Sequence, residues 1–332
     1  MGRISNQDNM HMNNVTFRAV KGVCFTLISI LCFIFLFIGG PNYYSGRVFT
    51  QAWSLGHIFA FCLWTYILTV NWKYLANETY IKQCLIIFCL VFFVGSLIEI
   101  IQIKFNRTAC IADVIRDLKG SALSIAFLAP ARRTISKAIL RFAQLSVVLI
   151  IIFEIYPLAI TISDEVISKL QFPLIAGFET PFETSRLSNS KLKRDGSVAI
   201  EGKYSLKVPL TKKKYSGVGF KYFPKNWKGY NYFHMSIYQT SANNINVTLK
   251  IYDLIHAKTG RNYNDRYSKN IELKRGWNNI QVPLQEIVNA PIDRTMDLNH
   301  IHAFGVHAID PSGKDVIYID DVCLLKQSGT DE

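Results

Sequence analysis

The sequence predicts a multi-domain fold class: an α-helical transmembrane bundle of about five helices followed by an all-β sandwich. Three observations predict it. Half of the 332 residues are hydrophobic and the mean hydropathy is +0.17, which excludes a disordered polymer and an ordinary soluble enzyme. Nearly all the long apolar runs fall in residues 19–162. Residues 174–326 instead alternate in short stretches broken by turn residues.

The first span is read as Ala19 to Ile38, long enough to cross a bilayer and ended by Gly39-Gly40-Pro41, which cannot continue a helix. No small-x-small cleavage pattern precedes Pro41, so it is read as an uncleaved helix after a tail of residues 1–18. The second span runs from about Ala52 to Val70, the third from Ile81 to Ile101 and the fifth from Ile139 to Ile162. The fourth, Ile111 to Ala129, carries Asp113, Arg116, Asp117 and Lys119 in its first half, and hydropathy alone would miss it. The basic cluster Arg132, Arg133, Lys137 and Arg141 that follows argues for it, because such clusters stay in the cytoplasm.

Five crossings from a cytoplasmic N-terminus put everything after about residue 163 outside. The expected location is therefore the inner (cytoplasmic) membrane of a bacterium, with a periplasmic or extracellular C-terminal domain.

Charge and cysteine content narrow the function classes. The chain has 37 Lys and Arg against 24 Asp and Glu, a net charge of +13, divided evenly between the halves without a basic stripe, so no nucleic-acid partner is expected. The seven cysteines show no CxxC and no Cys/His pairing at zinc spacing, so neither a disulfide scaffold nor a zinc site is read from them.

Polar residues inside the spans are the candidate membrane site. His57 lies in the outer part of the second span, and Glu99 and Gln102, three apart, share a face of the third. Asp113 and Asp117, four apart, share a face of the fourth, and Arg107 sits in the short loop joining the third and fourth spans. An ionisable group in a span costs roughly 2.5–3.5 kcal/mol, so these six must pair with each other or face water. One arrangement is purely architectural, with Glu99 on Arg107 and the aspartates on Arg116 or Lys119. The other is chemical: a His beside carboxylates can serve as a general acid/base, and an Arg can hold a phosphate or carboxylate of a membrane lipid.

Gly56-His57-Ile58-Phe59, Glu99-Ile100-Ile101-Gln102, Phe105-Asn106-Arg107-Thr108 and Asp113-Val114-Ile115-Arg116-Asp117 with Gly120 together resemble the VanZ-like membrane domain. That family takes its name from an accessory glycopeptide-resistance protein. The resemblance covers about residues 40–130 and implies a membrane-embedded polar site. The chain departs from the pattern where the family usually has Asn at the position of Asp117, and Lys or Asp where Leu55 and Gly56 stand.

Residues 163–173 are read as a polar linker and residues 327–332 as a tail. Strands are expected at Leu174–Phe178, Val198–Ile200, Tyr204–Val208, Gly217–Tyr222, Tyr232–Gln239, Asn246–Tyr252, Tyr267–Leu273, Trp277–Pro283, His300–Ala308 and Val316–Leu324, with a helical piece at Leu284–Val288. Ten short strands in about 150 residues favour two packed antiparallel sheets.

Gly177-Phe178-Glu179, Glu201-Gly202-Lys203-Tyr204-Ser205-Leu206-Lys207-Val208, Trp277-Asn278-Asn279-Ile280-Gln281-Val282-Pro283-Leu284 and Val316-Ile317-Tyr318-Ile319-Asp320-Asp321-Val322 resemble the galactose-binding-like jelly rolls of carbohydrate-binding modules. The resemblance implies a structural Ca2+ on Glu179 and Asp320. Sugar rings stack on aromatic faces, and the loop aromatics Trp227, Tyr230 and Tyr263 are ranked first as ligand contacts, above strand aromatics such as Tyr238 and Trp277.

The expected function is a VanZ-like envelope protein that displays a carbohydrate-binding sandwich and acts on or senses envelope or exported glycan, or a lipid-linked sugar. The alternative is a membrane-anchored scaffold whose sandwich binds a protein. No nucleophile elbow, Walker loop, Rossmann glycine set or HExxH occurs, so a soluble catalytic domain is not expected.

Overall fold

The computed structural model describes residue 20 and residues 22–105, 107, 109–188, 191–260 and 262–327. The tail 1–18, Ala19 and Lys21 of the first expected span, Asn106 and Thr108 beside Arg107, and 328–332 lie outside the described residues. The chain divides after Ala159 into two compact units.

The first unit is helical: α1 (Gly22–Phe37), α2 (Arg47–Asn71), α3 (Lys73–Ala76), α4 (Tyr80–Gln102), α5 (Ile111–Phe127) and the start of α6 (Lys137–Gln171). The expected count of five membrane-length helices is corrected to three. Among the described residues only α2, α4 with its extension to Phe105, and α6 are long and apolar enough to cross a membrane, at 25, 26 and 35 residues. The described part of α1 is shorter. Helix α5 has 17 residues and four charged side chains lower its hydropathy.

Helix α4 is inside-out relative to a soluble protein. Leu85, Phe92, Phe93, Leu97 and Ile100 are exposed, whereas Gln83, Glu99 and Gln102 are buried. Water would not tolerate that apolar surface, and lipid would not tolerate the polar face turned outward. Helices α2 and α5 cross closely at Gly120, where an added Cβ would lie 2.3 Å from the Ile58 carbonyl oxygen. Beside that crossing, Thr65 donates to Ser121 Oγ at 2.9 Å.

The second unit is a two-sheet antiparallel sandwich. One six-stranded sheet has the order β2 (Lys193–Asp195), β3 (Ser205–Pro209), β10 (Val316–Leu325), β5 (Tyr232–Gln239) and β8 (Gly276–Pro283), with β1 (Leu174–Ala176) also on β10. The four-stranded sheet has the order β4 (Tyr215–Phe220), β9 (Ile301–Ile309), β6 (Ile245–Asp253) and β7 (Tyr267–Leu273). Period-two alternation turns Met235, Ile237, Ile317, Ile319, Leu249 and Val306 into one core. The expected strand 198–200 is not a strand, and β2 and the short helix α7 (Leu254–Lys258) are additions; helix α8 is Leu284–Val288 as expected.

Residues 163–171 are helical rather than linker. Asp164 and Gln171 lie on one face of α6 because both serve the fully buried Arg186. Its Nη2 lies 2.9 Å from Asp164 and 3.0 Å from Gln171 Oε1, while Nη1 donates to the Ile175 carbonyl at 2.5 Å. The polarity of Asp164 marks an ion-pair partner, not solvent.

Candidate functional site

Helices α2, α4 and α5 bring four of the six predicted membrane residues together. His57 Nδ1 lies 2.8 Å from Asp117 Oδ1, with both side chains buried. Glycine at position 95 makes room for this, since a Cβ there would stand 2.6 Å from Asp117 Oδ2. One ligand atom each of His57, Glu99 and Asp113 fall within 4.8 Å of one another. Glu99 Oε2 accepts from the Cys110 backbone N–H at 2.7 Å.

Gln102 and Arg107 have a different task. Gln102 Nε2 donates to the Leu36 carbonyl at 2.8 Å and Arg107 Nη1 donates to the same oxygen at 2.6 Å. They hold the C-terminal end of α1, whose carbonyls have no helical partner. The expected pairing of Glu99 with Arg107 is therefore replaced.

Two cavities meet at this point. A polar one of about 260 Å³ is lined by Pro41, Trp53, Ser54, His57, Arg107, Cys110 and Asp113. An apolar groove of about 410 Å³ runs along α1 and α2 past Ile28, Leu31, Phe35, Phe49 and Phe59, and shares Trp53 and His57 with the polar cavity. Arg116 bonds Asp113 at 2.5 Å, the pairing that the architectural arrangement expected for that aspartate, and Glu154 of α6, which the sequence reading missed, bonds Arg116 at 2.7 Å and also Lys119. The signal for Glu154 was present, as an acidic residue in the middle of the fifth span.

On the sandwich, the ranking of aromatic residues is corrected. Trp227 is fully buried, stacked on Phe233 at 5.4 Å, with its Nε1–H donated to the Pro224 carbonyl at 3.3 Å. It is core, because the loop carrying it folds back under the sheets. Tyr230 is half-buried, edge-on to Phe172 at 5.5 Å. Tyr263 is 63% exposed, with the Arg266 guanidinium 4.7 Å from its ring centre.

The strand aromatics form an organised face instead. Trp277, Tyr238, Tyr318 and Lys207 are successive cross-strand partners on β8, β5, β10 and β3. Trp277 lies 5.3 Å from Tyr238 and Tyr238 lies 6.3 Å from Tyr318, ring centre to ring centre. Their neighbours Ile237, Ile317 and Ile319 point into the core, so the row lies on the opposite face of the sheet. The next rows carry hydrogen-bonding groups: Ser236 Oγ donates to Asn279 at 3.1 Å, and His234 Nε2 faces Asp321 at 3.2 Å, which holds the Asp321 carboxyl below its ordinary range.

Glu179 and Asp320 do not fit a calcium site. Glu179 Oε1 accepts the Lys203 and Tyr204 N–H groups at 2.8 and 2.9 Å. Asp320 Oδ2 accepts those of Ile200 and Glu201 at 2.9 and 3.3 Å, and its Oδ1 that of Asp321 at 2.8 Å. Calcium needs six to eight converging oxygens, whereas these carboxylates are surrounded by backbone donors and pin the 200–204 segment. Burial raises the Asp320 carboxyl above its ordinary value despite those bonds.

No protein-family model matches the chain, and no curated protein matches it. Solved structures do. An exo-β-agarase is 13% identical at a TM-score of 0.37, over 48% of this chain and 25% of its own, so this chain spans about a quarter of that enzyme. A family 11 carbohydrate-binding module from Clostridium thermocellum, solved with a β-1,3-1,4-mixed-linked tetrasaccharide, is 15% identical at a TM-score of 0.33, over 46% of this chain and 94% of its own. The N-terminal tandem CBM22 domain of Paenibacillus barcinonensis Xyn10C is 16% identical at 0.32, over 47% and 50%.

Proposed function

We propose that this chain is a VanZ-like protein of a bacterial inner membrane that binds an amphipathic lipid with an anionic head, and presents an extracytoplasmic sandwich that binds glycan. The observation that carries the reading is the junction of the two cavities at Trp53 and His57. A lipid needs a polar pocket for its head and an apolar groove for its tail, side by side. Arg107 supplies donors to a phosphate at the mouth of the polar cavity, and the groove beside it is lined by Ile, Leu and Phe.

In this reading α2, α4 and α6 carry the bundle through the membrane, and the basic cluster 132–141 holds the cytoplasmic side. The sandwich takes a sugar chain along Trp277 and Tyr238, which the buried Tyr318 backs, with Lys207, Asn279 and Gln281 available to its hydroxyls. Tyr230 and Tyr263 are secondary contacts.

The test uses the full chain in detergent. A polyprenyl phosphate and an uncharged polyprenol are each titrated against it, and exported polysaccharides and peptidoglycan fragments are titrated while tryptophan fluorescence is followed. Saturable binding of the phosphate but not the alcohol, weakened by Arg107→Gln, supports the lipid site. Equal binding of both, or none, overturns it. Absence of glycan binding across the panel by folded protein replaces the sandwich reading with that of a scaffold for a protein partner.

A further inference from the structure

His57, Glu99 and Asp113 come from three different helices, α2, α4 and α5, and form the one group among the described residues in which three His, Cys, Asp or Glu side chains could enclose a cation. His57 and Glu99 are 2% and 4% exposed. His57 Nδ1 lies 2.8 Å from Asp117 Oδ1; with an ionised carboxylate as acceptor the proton sits on Nδ1, which leaves Nε2 with its lone pair for a metal. A carboxylate behind an imidazole is the usual outer support of a metal-bound histidine, since it sets the tautomer and the ring's orientation.

A second observation is independent of the grouping. Glu99 Oε1 is buried with no hydrogen-bond partner, and so is Asp117 Oδ2. A buried carboxylate oxygen without a donor is costly, and a cation is the partner that removes the cost. The nearby positive groups are already placed elsewhere: Arg107 on the Leu36 carbonyl, Arg116 on Asp113 and Glu154, and Lys119 on Glu154.

We propose that His57, Glu99 and Asp113 bind a first-row divalent cation of the Zn2+ type, with Asp117 as the positioning residue behind His57. One nitrogen and two carboxylates are a donor set this class of ion accepts, and three protein ligands leave a position open. That position faces the polar cavity, which His57 and Asp113 line together with Arg107. Ligand atoms around zinc stand about 3.3 Å apart for bonds of about 2.0–2.1 Å, and one ligand atom from each of the three side chains already lies within 4.8 Å of the others. An anionic oxygen would complete the shell. The inference stands on side-chain geometry and does not need the lipid or glycan reading; a chain that binds zinc but no lipid phosphate retains it.

The experiment strips the full chain of metal with a chelator in detergent, then titrates ZnCl2 against a chromophoric competitor and records the visible absorption of bound Co2+. One equivalent is expected, with Co2+ bands of a nitrogen/oxygen site. His57→Ala and Glu99→Gln abolish the saturable phase, and Asp117→Asn weakens it about 10- to 100-fold. His300→Gln, on the exposed surface of the sandwich, leaves it unchanged. Unaltered helical circular dichroism shows that each variant is folded; if Glu99→Gln is not, Asp113→Asn at a half-buried position gives the same reading. No saturable binding by the wild type, or wild-type affinity in His57→Ala, overturns the proposal.

Discussion

His57 and Asp117 are sixty residues apart in sequence and 2.8 Å apart in space, buried against a glycine that leaves room for the carboxylate. Removing one partner strands the other in a medium that cannot solvate it. His57→Ala should therefore destabilise the detergent-solubilised chain by about 3–5 kcal/mol, and the double substitution His57→Leu with Asp117→Leu should recover most of it. Thermal unfolding of these two variants and of Asp117→Leu alone checks this; additive losses would show that the two residues do not act as a pair.

Arg186 predicts the strongest single-site effect in the second unit. Its guanidinium is wholly buried against Asp164, Gln171 and the Ile175 carbonyl. Arg186→Ala should cost about 3–5 kcal/mol, since it leaves Asp164 in the interior without its principal cation, and Arg186→Lys should recover little because one ammonium cannot reach three directions. Chemical denaturation of the sandwich measures both.

Acid should weaken the sandwich through Asp253. Its carboxylate is clamped by Arg294, with Nη1 at 2.6 Å from Oδ2 and Nη2 at 2.9 Å from Oδ1. Burial alone would raise the carboxyl, yet the Arg294 bonds and the His256 and Asp297 N–H groups outweigh it and hold it below its ordinary value. A depressed carboxyl stabilises the fold above the unfolded value of about 3.9, and that stability is lost as pH falls through the lower folded value. Melting temperatures of wild type against Asp253→Asn should converge as pH drops below 4, about the unfolded carboxyl value. A constant gap would refute it.

The aromatic residues separate by what their loss does. Trp227→Ala should cost about 3–5 kcal/mol of stability, whereas Trp277→Ala and Tyr238→Ala should leave melting nearly unchanged. Each of the latter should weaken glycan binding by about 1 kcal/mol, roughly fivefold. Paired denaturation and binding curves distinguish the groups, and loss of binding in Trp277→Ala only in step with unfolding would remove the row from the site.

The sequence by itself determined the two-part architecture and most of the strands, because both follow from periodicity: apolar runs of bilayer length before residue 162, and period-two alternation after 174. It also singled out His57, Glu99, Asp113 and Asp117, since charge within an apolar span has few explanations. Tertiary structure alone decided their partners. Nothing local distinguishes Asp117, which faces His57, from Asp113, which faces Arg116, or tells that Gln102 and Arg107 turn to the Leu36 carbonyl. It likewise decided that Asp164 is an interior ion-pair partner rather than linker, and that Trp227 on a loop is core while Trp277 on a strand lies on an outer face. The physical reason is common to all of these. Local pattern reports which way a side chain points from its own backbone, but what lies at the end of it is set by a segment tens of residues away.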